Sequence, residues 1–318
     1  MSIDHSGPID VQVAEIEECG RDIRAYTLRS LNRNHLPFAE AGAHIDLLLP
    51  NGLIRQYSLI LAGRPTGDYR VAIKRDANSR GGSAYIHTDV RVGTVLAISA
   101  PRNHFPLDED APHSVLIAGG IGITPIFSMA HRLLSLSKAW ELHYACRSRA
   151  DVAFADEMPR GSNIHLHLDD ESNGQYLDLS RIVARAPQGA HFYCCGPLPL
   201  MVAFEKAAAG IQDSRKHVEY FTPKEVVRPQ GGFKVKLAKT GKVLTIPQGG
   251  SILDALKTAG VSVDHSCTEG ICGTCETKVL AGVPDHRDSV LTPAERAANN
   301  TIMVCCSGSK SEELVLDL

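Results

Sequence analysis

The chain has 318 residues, 43% apolar and 22% charged, with a formal net charge of −3. That length exceeds what one hydrophobic core usually serves, so two or three domains are expected. The near-even charge excludes a nucleic-acid or anionic-membrane partner recognised by bulk charge. No apolar run reaches the roughly 18 residues of a membrane helix, and the N-terminal MSIDHSGPIDVQVAEIEE is acidic and lacks the apolar stretch of a signal peptide. The cytoplasm is therefore the expected location. A reducing compartment disfavours disulfides, so the nine cysteines, five of them from Cys267 onward, point to metal binding.

From residue 8 to about 100, short β-rich runs (VQVAEIEE, IRAYTLRS, HIDLLLP, RQYSLILA, YRVAIKRD, TVLAISAP) alternate with Gly, Pro, Asn and Asp clusters. This is the pattern of a small antiparallel barrel. The fourth run begins Arg55-Gln56-Tyr57-Ser58. Strand alternation puts Arg55 and Tyr57 on one face and Ser58 on the other. An arginine beside an aromatic ring can hold the phosphate and one ring face of a flavin, and a hydroxyl or N–H can bind the ring edge. Taken alone, R-x-Y-S also fits ordinary barrel packing. Further on, Arg80-Gly81-Gly82-Ser83 precedes a helix-like AYIH; N–H groups at a helix start together with Arg80 make a phosphate cradle. One cradle and no second aromatic platform for an adenine predict FMN rather than FAD.

From about 112 to 222 strands alternate with helices, which predicts a parallel sheet with crossover helices. The strands are Ser114–Ala118, Glu141–Ala145, Ile164–Leu168 and His191–Cys195. Ile126, Met129, Ala130, Leu133 and Leu134 recur at helical spacing, and Met201–Ala209 is a second helix. Between the first strand and its helix lies Gly119-Gly120-Ile121-Gly122-Ile123-Thr124-Pro125. Such glycines let the backbone approach a pyrophosphate at a helix N-terminus; they also serve close packing of a helix on a sheet. Cys194-Cys195-Gly196-Pro197 ends another strand, at the edge where α/β sheets bind ligands. Cys194 reads as a small buried hydrophobe and Cys195 as a neighbour of a nicotinamide. Asp169 and Asp170 follow Leu168 and can reach an adenosine ribose, whereas Arg147 and Arg149 can meet a 2′-phosphate or form a solvated loop.

Thr222–Gln230, polar with two prolines, reads as a linker. Beyond it come a hairpin (Phe233–Leu237, Thr240-Gly241, Val243–Ile246), a helix near Ile252–Ala259, a cysteine-rich loop and a strand at Glu313–Leu318. The loop carries Cys267-x₄-Cys272-x₂-Cys275, with Cys305 and Cys306 much later. This is the plant-type [2Fe–2S] spacing. Two irons need four thiolates; a tight loop supplies three and a distant segment the fourth. Gly270 and Gly273 let N–H groups turn towards the sulfurs. A zinc site would favour paired C-x₂-C modules, and only one is present. On a strand, Cys305 and Cys306 would face opposite ways, so one of them is the fourth ligand.

With R-Q-Y-S, G-G-I-G-I-T-P, C-G-P and C-x₄-C-x₂-C in this order, the chain resembles the phthalate dioxygenase reductase family. These are reductases of two-component Rieske oxygenases within the ferredoxin–NADP reductase superfamily, and the resemblance runs end to end, including the final ELVLDL. It implies a Greek-key FMN barrel over residues 1–108, a Rossmann-like NADH-binding α/β domain over 109–223, a linker over 224–232 and a β-grasp ferredoxin domain over 233–318. By position, Arg55, Gln56, Tyr57 and Ser58 would hold FMN. Ala72, Ile73 and Lys74 with Arg80, Gly81, Gly82 and Ser83 would hold its ring edge and phosphate. Gly120, Gly122, Thr124, Pro125, Asp169, Cys195, Gly196 and Pro197 would hold the nicotinamide cofactor. Ser58, Thr124, Cys195 and Phe221 would lie nearest the hydride transfer, Phe221 where the nicotinamide must stack. In the family a Cys-Val-Ser-Arg segment stands where this chain has Cys305-Cys306-Ser307-Gly308, which supports Cys305 as the ligand and removes a basic side chain from a partner-contact position.

The expected activity is electron transfer from NADH through FMN and the [2Fe–2S] cluster to a terminal Rieske oxygenase acting on a small aromatic substrate, by a monomeric protein. NADH gives up a pair of electrons, an iron–sulfur cluster accepts them singly, and a flavin handles both. The rival readings are a reductase for a cytochrome P450 and a non-enzymatic redox sensor or shuttle.

Overall fold

The structure, a computed structural model, describes residues 7–32, 35–60, 67–77, 79–159, 161–224 and 231–318. The expected linker falls mostly on residues 225–230, outside those described. Within the described residues no helix is long and apolar enough to cross a membrane.

The first layer holds β1 (Ile9–Gly20), β2 (Ile23–Ser30), β3 (His44–Leu48), β4 (Ile54–Ser58), β5 (Asp68–Lys74), α1 (Gly82–Asp89) and β6 (Val95–Ile98). Period-two alternation shapes these strands: along β1, Ile9, Val11 and Val13 turn inward while Asp10 and Gln12 face water. The strands are antiparallel in the order β4-β3-β6-β1-β2-β5. The chain leaving β4 bridges Leu59 to Val71 beside β5, and Ile60 N–H donates to Arg70 C=O at 2.9 Å. The sheet thus closes into a Greek-key barrel and leaves little exposed edge.

The second layer holds β7 (Ser114–Gly119), α2 (Ile123–Ser135), β8 (Trp140–Cys146), β9 (Ile164–Leu168), α3 (Leu179–Arg185), β10 (His191–Cys195), α4 (Leu198–Ala207) and β11 (Lys216–Glu219). All five strands run parallel, ordered β11-β10-β7-β8-β9. β7 is the central strand and is buried throughout, as a strand covered on both faces must be. Strand order reverses between β7 and β10, and the crevice at such a switch point is where α/β sheets take nucleotides. α4 begins at Leu198, three residues before the predicted start, because Pro197 caps it and Pro199 fits its first turn.

One core joins these two layers. Ile23, Ala25 and Ala72 of the barrel pack with Ala118, Ile126, Phe127, Tyr144 and Phe154. Over this seam Arg70 pairs with Glu17 at 2.7 Å and Glu157 at 2.6 Å and lies 5.7 Å above the Phe154 ring. The chain accordingly divides into two compact units, Met1–Phe221 and Thr222–Leu318.

The second unit contains β12 (Phe233–Leu237), β13 (Val243–Ile246), α5 (Ile252–Thr258), β14 (Glu276–Ala281), β15 (Pro284–Asp285), α6 (Pro293–Ala298), β16 (Thr301–Met303), β17 (Gly308–Ser309) and β18 (Glu313–Leu316). The sheet order is β13-β12-β18-β14-β16, with β12 and β18 parallel. α5, capped by Ser251, lays Ile252, Leu253 and Leu256 on Val235, Leu237, Leu314 and Leu316. The cysteine loop spans the gap between α5 and β14.

Candidate functional site

In the barrel, Arg55 and the Arg80–Ser83 turn are brought together. The Arg55 guanidinium donates to Ile54 C=O at 2.8 Å and to Arg80 C=O at 3.1 Å. It lies so close over Gly82 that a Cβ there would meet Arg55 Nε at 2.5 Å. Gly81 is the N-cap of α1 at φ 88° with no side-chain cap; Ser79 Oγ accepts from Ala84 N–H at 3.2 Å. An arginine and a left-handed glycine at a helix start form a cradle suited to a phosphate. Tyr57 packs half-buried on the barrel core, and burial pushes its pKa up. Gln56 is turned elsewhere: its amide donates to Asp46 at 3.0 Å, and Asp46 pairs with Arg102 at 2.8 Å. Ser58 is buried. Ala72 belongs to the shared core and Ile73 to the barrel core, so on this strand backbone groups and Lys74 are what remain for a ligand.

At the switch point the two glycine motifs pack on each other. A Cβ on Gly122 would lie 2.3 Å from Cys195 C=O and 2.7 Å from Gly196 Cα, and one on Gly119 would lie 2.7 Å from Pro197. Packing of turn on turn accounts for these two glycines. Gly120 differs: it is left-handed at φ 51° with nothing within 4 Å of a Cβ, and its carbonyl accepts from Tyr144 O–H at 3.0 Å. The open side of the turn is the one free for a pyrophosphate. Thr124 is buried and donates to Ile121 C=O at 3.1 Å; Pro125 lies inside the first turn of α2. Cys195 is fully buried in the shared core, and that burial pushes its thiol well up. Its carbonyl, not its thiol, meets the glycine turn. Phe221, 36% exposed, ends the first unit. On the far side β8 and β9 finish together, Asp169 and Asp170 N–H donating to Cys146 and Arg147 C=O at 3.0 and 3.1 Å. Arg149 pairs with Glu171 at 3.2 Å, and Arg147 is exposed.

Glu219 escaped the sequence reading. It stands opposite Cys195 in the β10–β11 register. Its Oε2 is buried without a hydrogen-bond partner, and desolvation pushes its pKa up to about 8, so the carboxyl is protonated near neutral pH. The available signal was a charged residue inside the apolar V-E-Y-F beside C-C-G-P.

In the second unit four thiols converge. Cys267 lies near Cys272 and Cys305, and Cys305 near Cys267, Cys275 and Cys306. Glu269 N–H donates to Cys267 Sγ at 3.3 Å. Gly270 and Gly273 adopt φ of 72° and 71°. A group of four convergent thiols with N–H donors around one sulfur fits a two-iron cluster. The expectation of a strand at Cys305 is corrected: β16 ends at Met303 and Val304–Cys306 form a turn. In that turn Cys306 Sγ lies 3.8 Å from Met303 C=O, and a Cβ on Gly270 would sit 2.5 Å from it. Buried Asp288 braces this loop, accepting from Val290 and Leu291 N–H at 2.9 and 2.7 Å, while Ser289 N–H donates to Gly270 C=O at 2.7 Å.

Two family models match: the 2Fe-2S iron-sulfur cluster binding domain over residues 235–309 and the oxidoreductase NAD-binding domain over 116–206. The chain is 51% identical over 312 residues to phenoxybenzoate dioxygenase subunit beta of Ectopseudomonas oleovorans, covering 98% of each. Among solved structures it resembles an intact type IV self-sufficient cytochrome P450 monooxygenase (39% identity, TM-score 0.91), covering 98% of this chain and 41% of that one. It thus spans less than half of that larger protein. It also resembles phthalate dioxygenase reductase, described as a modular structure for electron transfer from pyridine nucleotides to [2Fe-2S], at 37% identity, TM-score 0.72 and 98% coverage of both chains.

Proposed function

The chain belongs to the phthalate dioxygenase reductase family, and from that premise we propose that the oxygenase it serves is of the Rieske type and acts on a small aromatic substrate. The protein is an NADH:acceptor oxidoreductase of an oxygenase system, with FMN and a [2Fe–2S] cluster as its cofactors. Bound FMN supplies the conversion of a hydride into single electrons that a cluster can accept. A cytoplasmic monomer is part of the proposal.

The observation that carries the reading is the convergence of Cys267, Cys272, Cys275 and Cys305 in a chain that also presents a nucleotide crevice at a switch point. In our reading these four thiolates hold the cluster, and the Glu269 N–H stabilises the negative charge on Cys267 sulfur. Arg55, Gly81 and Gly82 hold the flavin phosphate, and Tyr57 covers part of its ring. The open face of Gly120 receives the pyrophosphate of NADH. Phe221 occupies the nicotinamide stacking position until the substrate arrives. Glu219, neutral at pH 7, places no anion beside the reacting ring and offers an O–H donor there. Hydride transfer needs only that donor and acceptor carbon and nitrogen be held close and dry, so no protein acid or base is assigned to it.

The test is reconstitution. Anaerobic NADH should bleach flavin and cluster bands together, and the reduced protein should support turnover by a Rieske oxygenase from the same host. Reduction without transfer to any Rieske component would refute the partner assignment. A second reading, a P450-type acceptor, is favoured by the likeness to a self-sufficient P450 and predicts turnover with that acceptor instead.

A further inference from the structure

Away from both crevice and cluster, one carboxylate is ringed by imidazoles. Glu141 and His143 alternate along β8 and so share a face. His165 on β9 stands opposite His143 in register, their rings stacked at 4.8 Å and 21°. His113, one residue before β7, reaches the same carboxylate. Glu141 Oε2 lies 3.5 Å from His143 Nε2 and 4.0 Å from His165 Nε2, and Oε1 lies 3.8 Å from His113 Nε2.

The His113 and His165 separations are too long for hydrogen bonds, and that of His143 is at their limit. They are close to the edge of a tetrahedron around a small cation, where bonds of about 2.0–2.1 Å place ligand atoms roughly 3.4 Å apart. Nε2 of His113 and of His143 are buried and have no hydrogen-bond partner. An ion-pair account would set stacked, protonated rings against each other around a single negative charge.

The geometry points to a divalent transition-metal site, of the Zn²⁺ class, formed by Glu141, His143 and His165, with His113 beside the second carboxylate oxygen. Two imidazoles and a carboxylate suit such borderline cations better than Mg²⁺ or Ca²⁺. His165, its side chain 49% exposed, gives the ion a route from solvent and leaves a position for water. The site tethers neighbouring strands: β8 and β9 through ligands, β7 through His113. Glu141 precedes the nucleotide edge at Cys146 by about five residues, roughly 17 Å along the strand, so the ion is remote from hydride transfer.

The experiment uses the whole protein with flavin and cluster in place, dialysed against chelator and titrated with Zn²⁺ by calorimetry, with cluster absorbance recorded in the same sample. The expected result is one Zn²⁺ per chain with cluster absorbance unchanged, a raised Tm for the first unit, and affinity lost as pH falls through the histidine range. His143→Gln or Glu141→Gln should abolish binding. His113→Gln should weaken it about 10- to 100-fold. His165→Gln, at a half-exposed position that leaves the core intact, should abolish it without altering NADH oxidation. No zinc uptake, uptake only as cluster absorbance is lost, or uptake unchanged by His165→Gln would overturn the assignment.

Discussion

Gly270→Ala separates the two things a glycine can contribute at the cluster. Its φ of 72° would cost an alanine about 1 kcal/mol. The new Cβ would also sit 2.5 Å from Cys306 Sγ and 3.0 Å from Asp288 Cα. One neighbour is a short buried side chain and the other is backbone, so neither can swing aside, and overpacking adds about 1–3 kcal/mol. Gly241 is the control: φ is 71°, with nothing within 4 Å of its Cβ. Gly241→Ala should therefore show the conformational cost alone, about 1 kcal/mol. Loss of the visible cluster band in guanidinium chloride reports unfolding of the second unit, and the midpoint shifts should differ by that contact cost at unchanged slope. Adding Cys306→Ala to Gly270→Ala should recover part of the loss, a coupling that a double-mutant cycle measures. Equal shifts for the two glycines, or no recovery, would refute the reasoning.

Other expectations follow from the same geometry. Cys305→Ser should lose iron while Cys306→Ser keeps about two irons per chain, and all cluster variants should still pass electrons from NADH to ferricyanide; metal analysis decides. Arg55→Ala should weaken flavin retention on gel filtration about 10- to 100-fold, the loss of a charge-assisted phosphate contact, and the released flavin should chromatograph as FMN. On the proposal that Asp169 meets the ribose, kcat/KM should favour NADH; equal values would assign the loop to Arg147, and Arg147→Ala should then lower activity with NADPH alone. His217, stacked on Tyr193 at 4.4 Å, has its pKa pushed down to about 4 by burial and by His191. Above pH 6.5 both folded and unfolded rings are neutral; as pH falls from 6.5 to 4 the unfolded ring alone takes a proton. About 1–2 kcal/mol of stability, discounted for partial exposure, should be lost across that window, and His217→Gln should abolish this part of the pH dependence of melting.

Sequence legibility followed periodicity and spacing. The barrel strands and β7–β10 carry strong two-residue or continuous apolar patterns, and their positions were readable. The cysteine spacing displayed the cluster loop because its chemistry needs ligands close in sequence. α3, β11 and the small elements β15, β16, β17 and α6 have too few residues to show a period. Cys195 misled, because a cysteine at a strand end next to Gly-Pro reads the same whether its thiol or its carbonyl faces the turn. Gln56 was placed with its neighbours, although its true partner is Asp46 on the adjacent strand. Glu219 and the His113–Glu141–His143–His165 group stayed invisible because each depends on which strands lie side by side, which no local pattern encodes.

The barrel and the α/β layer share a single core, while the cysteine-bearing unit is compact by itself. The flavin pocket and the nucleotide crevice must therefore melt together, and the cluster scaffold can fail without them. Iron–sulfur centres are the part of such a protein most exposed to damage by oxygen. Here loss of the cluster would strike a unit that is compact by itself, not the core shared by the flavin barrel and the nucleotide layer. By the same division, a chain that has lost its iron should still oxidise NADH whenever an acceptor for the flavin's electrons is at hand.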